Sequence, residues 1–506
     1  MITERDLEQV HSHGIKTEEV LRQAALLTDP PPFLPLDRPC ALGDGILSLD
    51  APALERLAVR AERTRLLGRM MRFIPASGRA SRMFHAFHSL CEGSELEPGE
   101  EAEVKACLEG FKNFAFYKSF KADLHKSGLE LDRMLKEGRA KELAQALTGG
   151  AATQLSDSPK ALLPFHEYAE GGRTAFEEHL LEGAAQLRDK NGACRLHFTI
   201  SAEHKTRFDQ HLAALLPKLE PKLGVKFAVS FSVQGKGTDT LAMGLDNEPY
   251  RSPEGKLLFW AGGHGALLHN LQRLHADIVF IRNVDNAVPD RLKPARCRHD
   301  LAMAGMVIEL QDELYAYLPR VYSKAADETA LDEALRFGRE RLGVVPPGGW
   351  DAFTREDRRS WLIDRLDRPI RVCGVVPSAG EPGGGPFWVR EKEGLSLQIV
   401  ERAQVDPSSE EQGKVFAAST HFNPVDMVCG LRDYLDEPFR LERFVDKDAV
   451  FLAEKSWEGK KVKVVEHPGL WNGSMSRWHT VFVEMPLEMF QPAKRLSDLL
   501  RQGHTV

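Results

Sequence analysis

Between residues 160 and 290 the chain alternates short apolar runs with longer helical stretches, and no other feature constrains its fold as much. The runs are Leu196-His197-Phe198-Thr199-Ile200, Phe227 to Val233 and Asp277-Ile278-Val279-Phe280-Ile281. Their lengths and β-branched content suit strands buried in a mostly parallel sheet. Strands that alternate with helices predict an α/β fold with a Rossmann-like mixed, mostly parallel sheet. Similar runs occur at Arg72-Phe73-Ile74-Pro75, Ile370 to Val376, Leu395 to Glu401, Val462 to Glu466 and Thr480 to Glu484.

Around this frame the pattern is helical. Residues 1–70 read as an N-terminal helical arm, interrupted at Pro30-Pro31-Pro32 and resumed from Ala51 to Met70. Residues 71–500 read as one domain with helical insertions at about 91–150 and 291–368. An amphipathic helix is predicted over Pro492 to Arg501, with 501–506 as a tail. A chain of 506 residues with 42% apolar residues can bury a large core. Its formal charge of −7 excludes the broad basic field that nucleic-acid binding needs, while leaving room for a small cationic pocket. None of the seven cysteines stands in a CxxC pair, which suits a reducing compartment. The first residues are acidic rather than apolar, and no run is long enough to span a bilayer, so the expected location is cytoplasmic, away from membranes.

Three segments carry chemistry. The first is Pro75-Ala76-Ser77-Gly78-Arg79-Ala80-Ser81-Arg82-Met83, a small-residue turn after a strand. Ser77, Gly78 and Ser81 let backbone N–H groups approach an anion, and the Arg82 guanidinium suits phosphate. A tight turn with a surface arginine is the plainer reading. Further on, Pro159-Lys160-Ala161-Leu162-Leu163-Pro164 holds a lysine between prolines. The second segment is Trp260-Ala261-Gly262-Gly263-His264-Gly265, whose glycines would let backbone lie against a flat base. The third is the Asp285-Asn286 pair after the Asp277–Ile281 run. A carboxylate at the carboxyl end of a parallel strand stands where open α/β sheets bind ligands, and it can hold Mg²⁺. An Asx turn is the alternative there. His85-x-x-His88 puts two imidazoles near one helix face, without a further ligand pair of matching spacing.

The small-residue turn ending in Arg82-Met83, with the Pro159-Lys160-Ala161-Leu162 element after it, resembles the nucleotidyltransferases of the GT-A fold, the nucleotide-diphospho-sugar transferase type. The resemblance implies that turn and lysine hold a triphosphate. The interval between them exceeds the usual one, and the 91–150 insertion falls inside it. Gly262-Gly263-His264-Gly265 resembles the Pro-Gly-His-Gly-Asp segment of UDP-sugar pyrophosphorylases, which approaches base and ribose. Gln234 stands where that family reads the uracil edge, and Asp285 where it holds the metal. Ser396 to Glu401 resembles the family's Val-Val-Glu strand, and His421-Phe422-Asn423 its Phe-Asn segment, which implies sugar contacts for Glu401 and Asn423. Met485 to Leu500 resembles a C-terminal element whose lysine reaches the α-phosphate, which gives that role to Lys494. Leu487 and Met489 stand where the family has arginines. The whole is also similar to a bacterial branch described only as a domain of unknown function, the DUF4301 type.

The resemblance therefore implies a Mg²⁺-dependent sugar-1-phosphate nucleotidyltransferase. NTP (UTP in the UDP-sugar branch) and a sugar 1-phosphate would give an NDP-sugar and pyrophosphate. Arg82, Lys160 and Lys494 would hold phosphates, with no covalent intermediate. Two other readings fit the same motifs: a glycosyltransferase that uses a nucleotide sugar, and a nucleotide-binding module without catalysis.

Overall fold

The computed structural model describes residues 2–149, 155–378, 380, 383–392 and 394–506. The chain divides into two compact units. The first contains Met1–Ala61, Gln234–Phe280 and Ala302–Met485; the second contains Glu62–Val233, Ile281–Leu301 and Pro486–Val506. The expected α/β class is found; strands of the second unit's main sheet pair in parallel, while the first unit mixes parallel and antiparallel pairs.

In the second unit, Met70–Pro75, Ala193–Ile200 and Lys226–Val233 pair in parallel, with Arg72 opposite Leu196 and Cys194 opposite Phe227. Helix Ala175–Leu187 covers these strands. Thr174 caps it by accepting the Glu177 N–H, which satisfies one of the free donors of the first turn. The helix lies so close to the sheet that a Cβ on Gly183 would stand 2.9 Å from the Leu196 side chain. Phe176, Phe198, Phe208 and Phe231 fill this layer with ring contacts of 4.6–6.2 Å. The 91–150 insertion is helical as expected, with Pro98–Gly110, Tyr117–Lys126, Leu131–Lys136 and Ala140–Thr148; its last residue, Gly150, lies outside the described residues.

In the first unit, Ala41–Leu42, Gly45–Leu47, His479–Glu484 and Ile370–Pro377 run parallel in that order, and His421–Gly430 pairs antiparallel with Ile370–Pro377. Two smaller antiparallel sheets accompany it. One contains Thr240–Met243 and Lys460–Glu466; the other is Leu36–Pro39 with the hairpin Gly385–Glu391 and Gly394–Val400. The 291–368 stretch is helical as expected, through Lys293–Tyr322, Glu328–Leu342 and Arg355–Leu366. No helix among the described residues is long and apolar enough to cross a membrane.

Two local expectations are corrected, and one strand is found for which no secondary structure was expected. Residues 36–47, read as part of a helical arm, form strands. The helices before them, Glu4–Ser12 and Thr17–Thr28, and the turn between them pack Val10, Val20 and Ile15 against Leu241, Met243 and Val465. Pro492 to Arg501 is not an α-helix: only the short 3₁₀ turns Leu496–Leu500 and Gln502–His504 form there. The Asp498 carboxylate takes the Lys494 and Arg495 N–H groups, both at 2.7 Å, and so offers this backbone a turn instead of a helix. Finally, the Phe-Asn segment lies inside His421–Gly430, a ten-residue strand that is buried throughout.

Candidate functional site

The small-residue turn of the second unit follows strand Met70–Pro75. The Ala76 N–H donates to the Thr199 carbonyl at 2.8 Å, and the Ser201 hydroxyl donates to the Ser77 carbonyl at 3.0 Å. The turn then pairs with residues 158–160. The Lys160 N–H donates to the Gly78 carbonyl at 3.0 Å, the Ala80 N–H donates to the Ser158 carbonyl at 2.9 Å, and Arg79 faces Pro159 in an antiparallel bridge. Turn and lysine are thus joined through backbone despite the insertion between them. Ser77 and Gly78 are exposed and Ser81 is half-buried. A Cβ built on Gly78 meets no atom within 4 Å, so protein packing does not require glycine there. Arg82 is exposed on the 3₁₀ turn Ala80–Phe84, with no hydrogen bond or ion pair to another described residue. Its neighbour Arg79 pairs with Glu203 at 2.5 Å.

Asp285 is the electrostatic centre of this unit. Its carboxylate is buried, with the Lys160 ammonium 2.8 Å and the Lys494 ammonium 3.5 Å from the same oxygen. Burial pushes its pKa up, but the charges of Lys160 and Lys494 outweigh burial and hold the pKa below the ordinary aspartate value. Two ammonium groups on one carboxylate leave the cluster net cationic, which favours an anion. Several neighbours fix Asp285. The Ala493 N–H donates to its carbonyl at 3.1 Å, and the Gln491 N–H donates to the Asn286 side-chain oxygen at 3.0 Å. His179, fully buried and with its pKa lowered by burial to about 3, is neutral and donates from Nε2 to the Val284 carbonyl at 3.1 Å. Beneath lies a buried network in which Arg72 and Arg282 share Glu182, each at 2.6 Å.

The remaining candidates belong to the first unit. Gln234 is half-buried, and its Nε2 is enclosed without a hydrogen-bond partner among the described residues, a polar group left available. The glycines of 262–265 are already spoken for by the protein. A Cβ on Gly262 would stand 2.3 Å from the Thr238 carbonyl oxygen, one on Gly265 would stand 2.2 Å from the Pro468 carbonyl oxygen, and Gly263 adopts φ +74°. Close backbone packing therefore accounts for these glycines. His264 lies on the Trp471 indole, with centroids 4.0 Å apart, and its Nδ1 accepts the Leu470 N–H at 3.0 Å. Burial lowers its pKa to about 4 against the opposing charge of Glu466, so the ring is neutral with its proton on Nε2. Trp471 in turn donates from Nε1 to Glu401 at 3.2 Å. His264 and Glu401 are thereby linked through Trp471, a residue that the sequence reading missed; its only signal is the small-residue frame Gly469-Leu470-Trp471-Asn472-Gly473. Asn423 is buried, and its amide serves the fold: Nδ2 donates to the Gly374 carbonyl at 2.8 Å and Oδ1 accepts the Val425 N–H at 3.1 Å. These bonds stabilise a bulge at Gly374/Val376 and a left-handed Val425, φ +58°, a strained conformation for a β-branched residue.

The second unit presents a net-cationic cluster of Lys160, Lys494 and Asp285, and the first a network of polar and aromatic side chains. The chain belongs to the family described as "Domain of unknown function (DUF4301)", whose model matches residues 3–505. No curated protein matches it. Solved structures similar to it include a mutant UDP-glucose pyrophosphorylase from Leishmania major in complex with UDP-glucose, at 13% identity over 98% of this chain and 77% of that one, TM-score 0.47. Others are a UDP-glucose phosphorylase from Trypanosoma brucei, at 14% identity over 98% and 77%, TM-score 0.46, and a uridine diphosphate N-acetylglucosamine pyrophosphorylase from Trypanosoma brucei in complex with inhibitor, at 12% identity over 99% and 79%, TM-score 0.43.

Proposed function

We propose that this protein is a sugar-1-phosphate nucleotidyltransferase. The observation that carries the reading is the meeting of Lys160 and Lys494, far apart in the sequence, on buried Asp285, with the exposed Ser77-Gly78 turn bonded to the Lys160 backbone. Phosphoryl chemistry needs positioned cations and backbone N–H groups more than a nucleophilic side chain. An oxygen of the sugar 1-phosphate attacks the α-phosphorus, the bond from that phosphorus to the bridging oxygen breaks, and pyrophosphate leaves. Lys160, Lys494 and Arg82 neutralise phosphate charge, while Ser77, Gly78 and Ser81 line the triphosphate. Gln234 reads the base, UTP being the favoured nucleotide, beside the Gly262–Gly265 segment with His264. Glu401 and Asn423 serve the sugar, Glu401 through its carboxylate and Asn423 by holding the strained turn at Val425.

Asp285 is the residue that would hold Mg²⁺, and only together with a polyphosphate. Among the described residues no group of three or more His, Cys, Asp or Glu side chains could hold a metal. A lone carboxylate beside two ammonium groups repels a free dication but accepts one that arrives on a polyphosphate. Held there by Asp285 together with the polyphosphate, Mg²⁺ would supply charge neutralisation. MgCl₂ alone should therefore give no heat in calorimetry with the protein, whereas Mg²⁺ with UTP should.

One observation favours binding without turnover. Met489 is 2% exposed and Leu487 carries no charge, so neither supplies the cation of the family's arginines. The test is a phosphate-release assay with added pyrophosphatase, over four NTPs and a panel of sugar 1-phosphates. Release with UTP and at least one sugar phosphate, lost in Lys160→Met, supports transfer. Silence across the panel, with UTP still bound, leaves the binding module.

A further inference from the structure

Lys494 lies on a segment with almost no regular structure of its own, and yet its ammonium reaches a buried carboxylate. What holds that segment is the 91–150 insertion. Glu103, on helix Pro98–Gly110, is buried, and its carboxylate accepts the Leu496 N–H at 3.1 Å with the Ser497 N–H beside it. The same helix meets the 3₁₀ turn Leu496–Leu500 so closely that a Cβ on Gly110 would stand 2.7 Å from the Leu500 side chain. Asp498, also buried, ties the Lys494 and Arg495 N–H groups from the other side, and the Ala493 N–H is bonded to the Asp285 carbonyl. Residues 493–498 are thus pinned at three places, and two of the pins lie within the segment or at Asp285 itself. Only Glu103 comes from a distant helix. A buried carboxylate is costly unless its oxygens are used, and this one is used on backbone N–H groups two and three residues beyond the lysine.

We propose that Glu103 is the positioning residue for Lys494, and that the helical insertion serves to present this lysine to the phosphate cluster. The inference rests on Lys494 being a phosphate ligand only for its functional consequence; its structural half stands without that. Glutamine keeps one acceptor oxygen at this place, leucine keeps the volume and loses the acceptor, and aspartate keeps the charge on a side chain one carbon too short.

The experiment compares the full chain with Glu103→Gln, Glu103→Leu, Lys494→Met and the Glu103→Leu/Lys494→Met pair. Acetic-anhydride labelling read by mass spectrometry reports Lys494 against Lys160 without any nucleotide. Calorimetry with inorganic tripolyphosphate reports the anion site. Glu103→Leu should raise Lys494 labelling about threefold with Lys160 unchanged, and weaken tripolyphosphate binding by about tenfold. Added to Lys494→Met it should weaken binding no further, because both changes act through one group. Glu103→Gln should stay within about twofold of the parent on both measures. Should Glu103→Leu not fold, Glu103→Asp takes its place with the same expected signs. Parental labelling in Glu103→Leu, or in Glu103→Asp where it stands in, overturns the proposal, as does an equal loss of affinity on the parental and Lys494→Met backgrounds. A parent that ignores tripolyphosphate overturns the phosphate role instead, and the labelling still decides whether Glu103 holds the lysine.

Discussion

Lys160 and Lys494 share one carboxylate oxygen but not one environment. The Lys160 side chain is 13% exposed and that of Lys494 is 46% exposed. Removing the charge of a buried partner strands the other charge, whereas an exposed partner is replaced by water. Lys160→Met should therefore cost about 3 kcal/mol in urea unfolding, and Lys494→Met less than about 1 kcal/mol. Equal losses would contradict the assigned environments. Both lysines were legible in the sequence, one by its flanking prolines and the other by its resemblance to a C-terminal family element. The use of Asn423 was not, because a sequence names an amide without naming its acceptors; here those are the Gly374 carbonyl and the Val425 N–H. Trp471 was missed for a similar reason: its stacking on His264 joins residues far apart in the chain.

At the scale of elements, the turns that looked alike in sequence divide into two kinds. Gly265 faces the Pro468 carbonyl oxygen at a distance no Cβ tolerates, whereas Gly78 faces open space. Gly265→Ala should lower stability by about 2–3 kcal/mol through overpacking. Gly78→Ala should leave the urea midpoint unchanged and weaken tripolyphosphate binding, since only the ligand needs the room. A Gly78→Ala protein that loses stability instead would remove the turn from the phosphate site. The central strands were readable because strands buried on both faces demand apolar runs, as in Ile278–Arg282, buried throughout. Strand His421–Gly430 escaped because it buries His421, Asn423 and Asp426, polar residues that read as loop. Strands Ala41–Leu42 and Gly45–Leu47 are too short to show a period. The false helix at Pro492 to Arg501 had the right apolar spacing, and the Asp498 side chain overrode it.

At the scale of the molecule, both units bury neutral imidazoles. Burial lowers His264 to about 4 and His479 to about 3 in the first unit. In the second it lowers His197 to about 4, and His179 and His504 to about 3. An unfolded histidine titrates near 6.5. Below that pH the unfolded chain binds protons that the folded chain refuses, so their contribution to stability is full above about 6.5 and lost progressively down to about 3. The urea midpoint should fall steadily as pH drops from 6.5 to 4.5, above the range where most carboxylates titrate, and His504→Gln should flatten part of that slope. A flat profile in this window would contradict the burial of these rings.

The central claim, nucleotidyl transfer, is likewise decided on the whole protein. The most direct measurement runs the reaction backwards: the protein is incubated with Mg²⁺, pyrophosphate and a panel of UDP-sugars, and the nucleotides are separated by chromatography. A nucleotidyltransferase returns UTP and sugar 1-phosphate, with the yield lost in Lys160→Met and Lys494→Met, and this is the predicted result. Formation of UDP without UTP, or no change in any UDP-sugar that the protein binds, would contradict it.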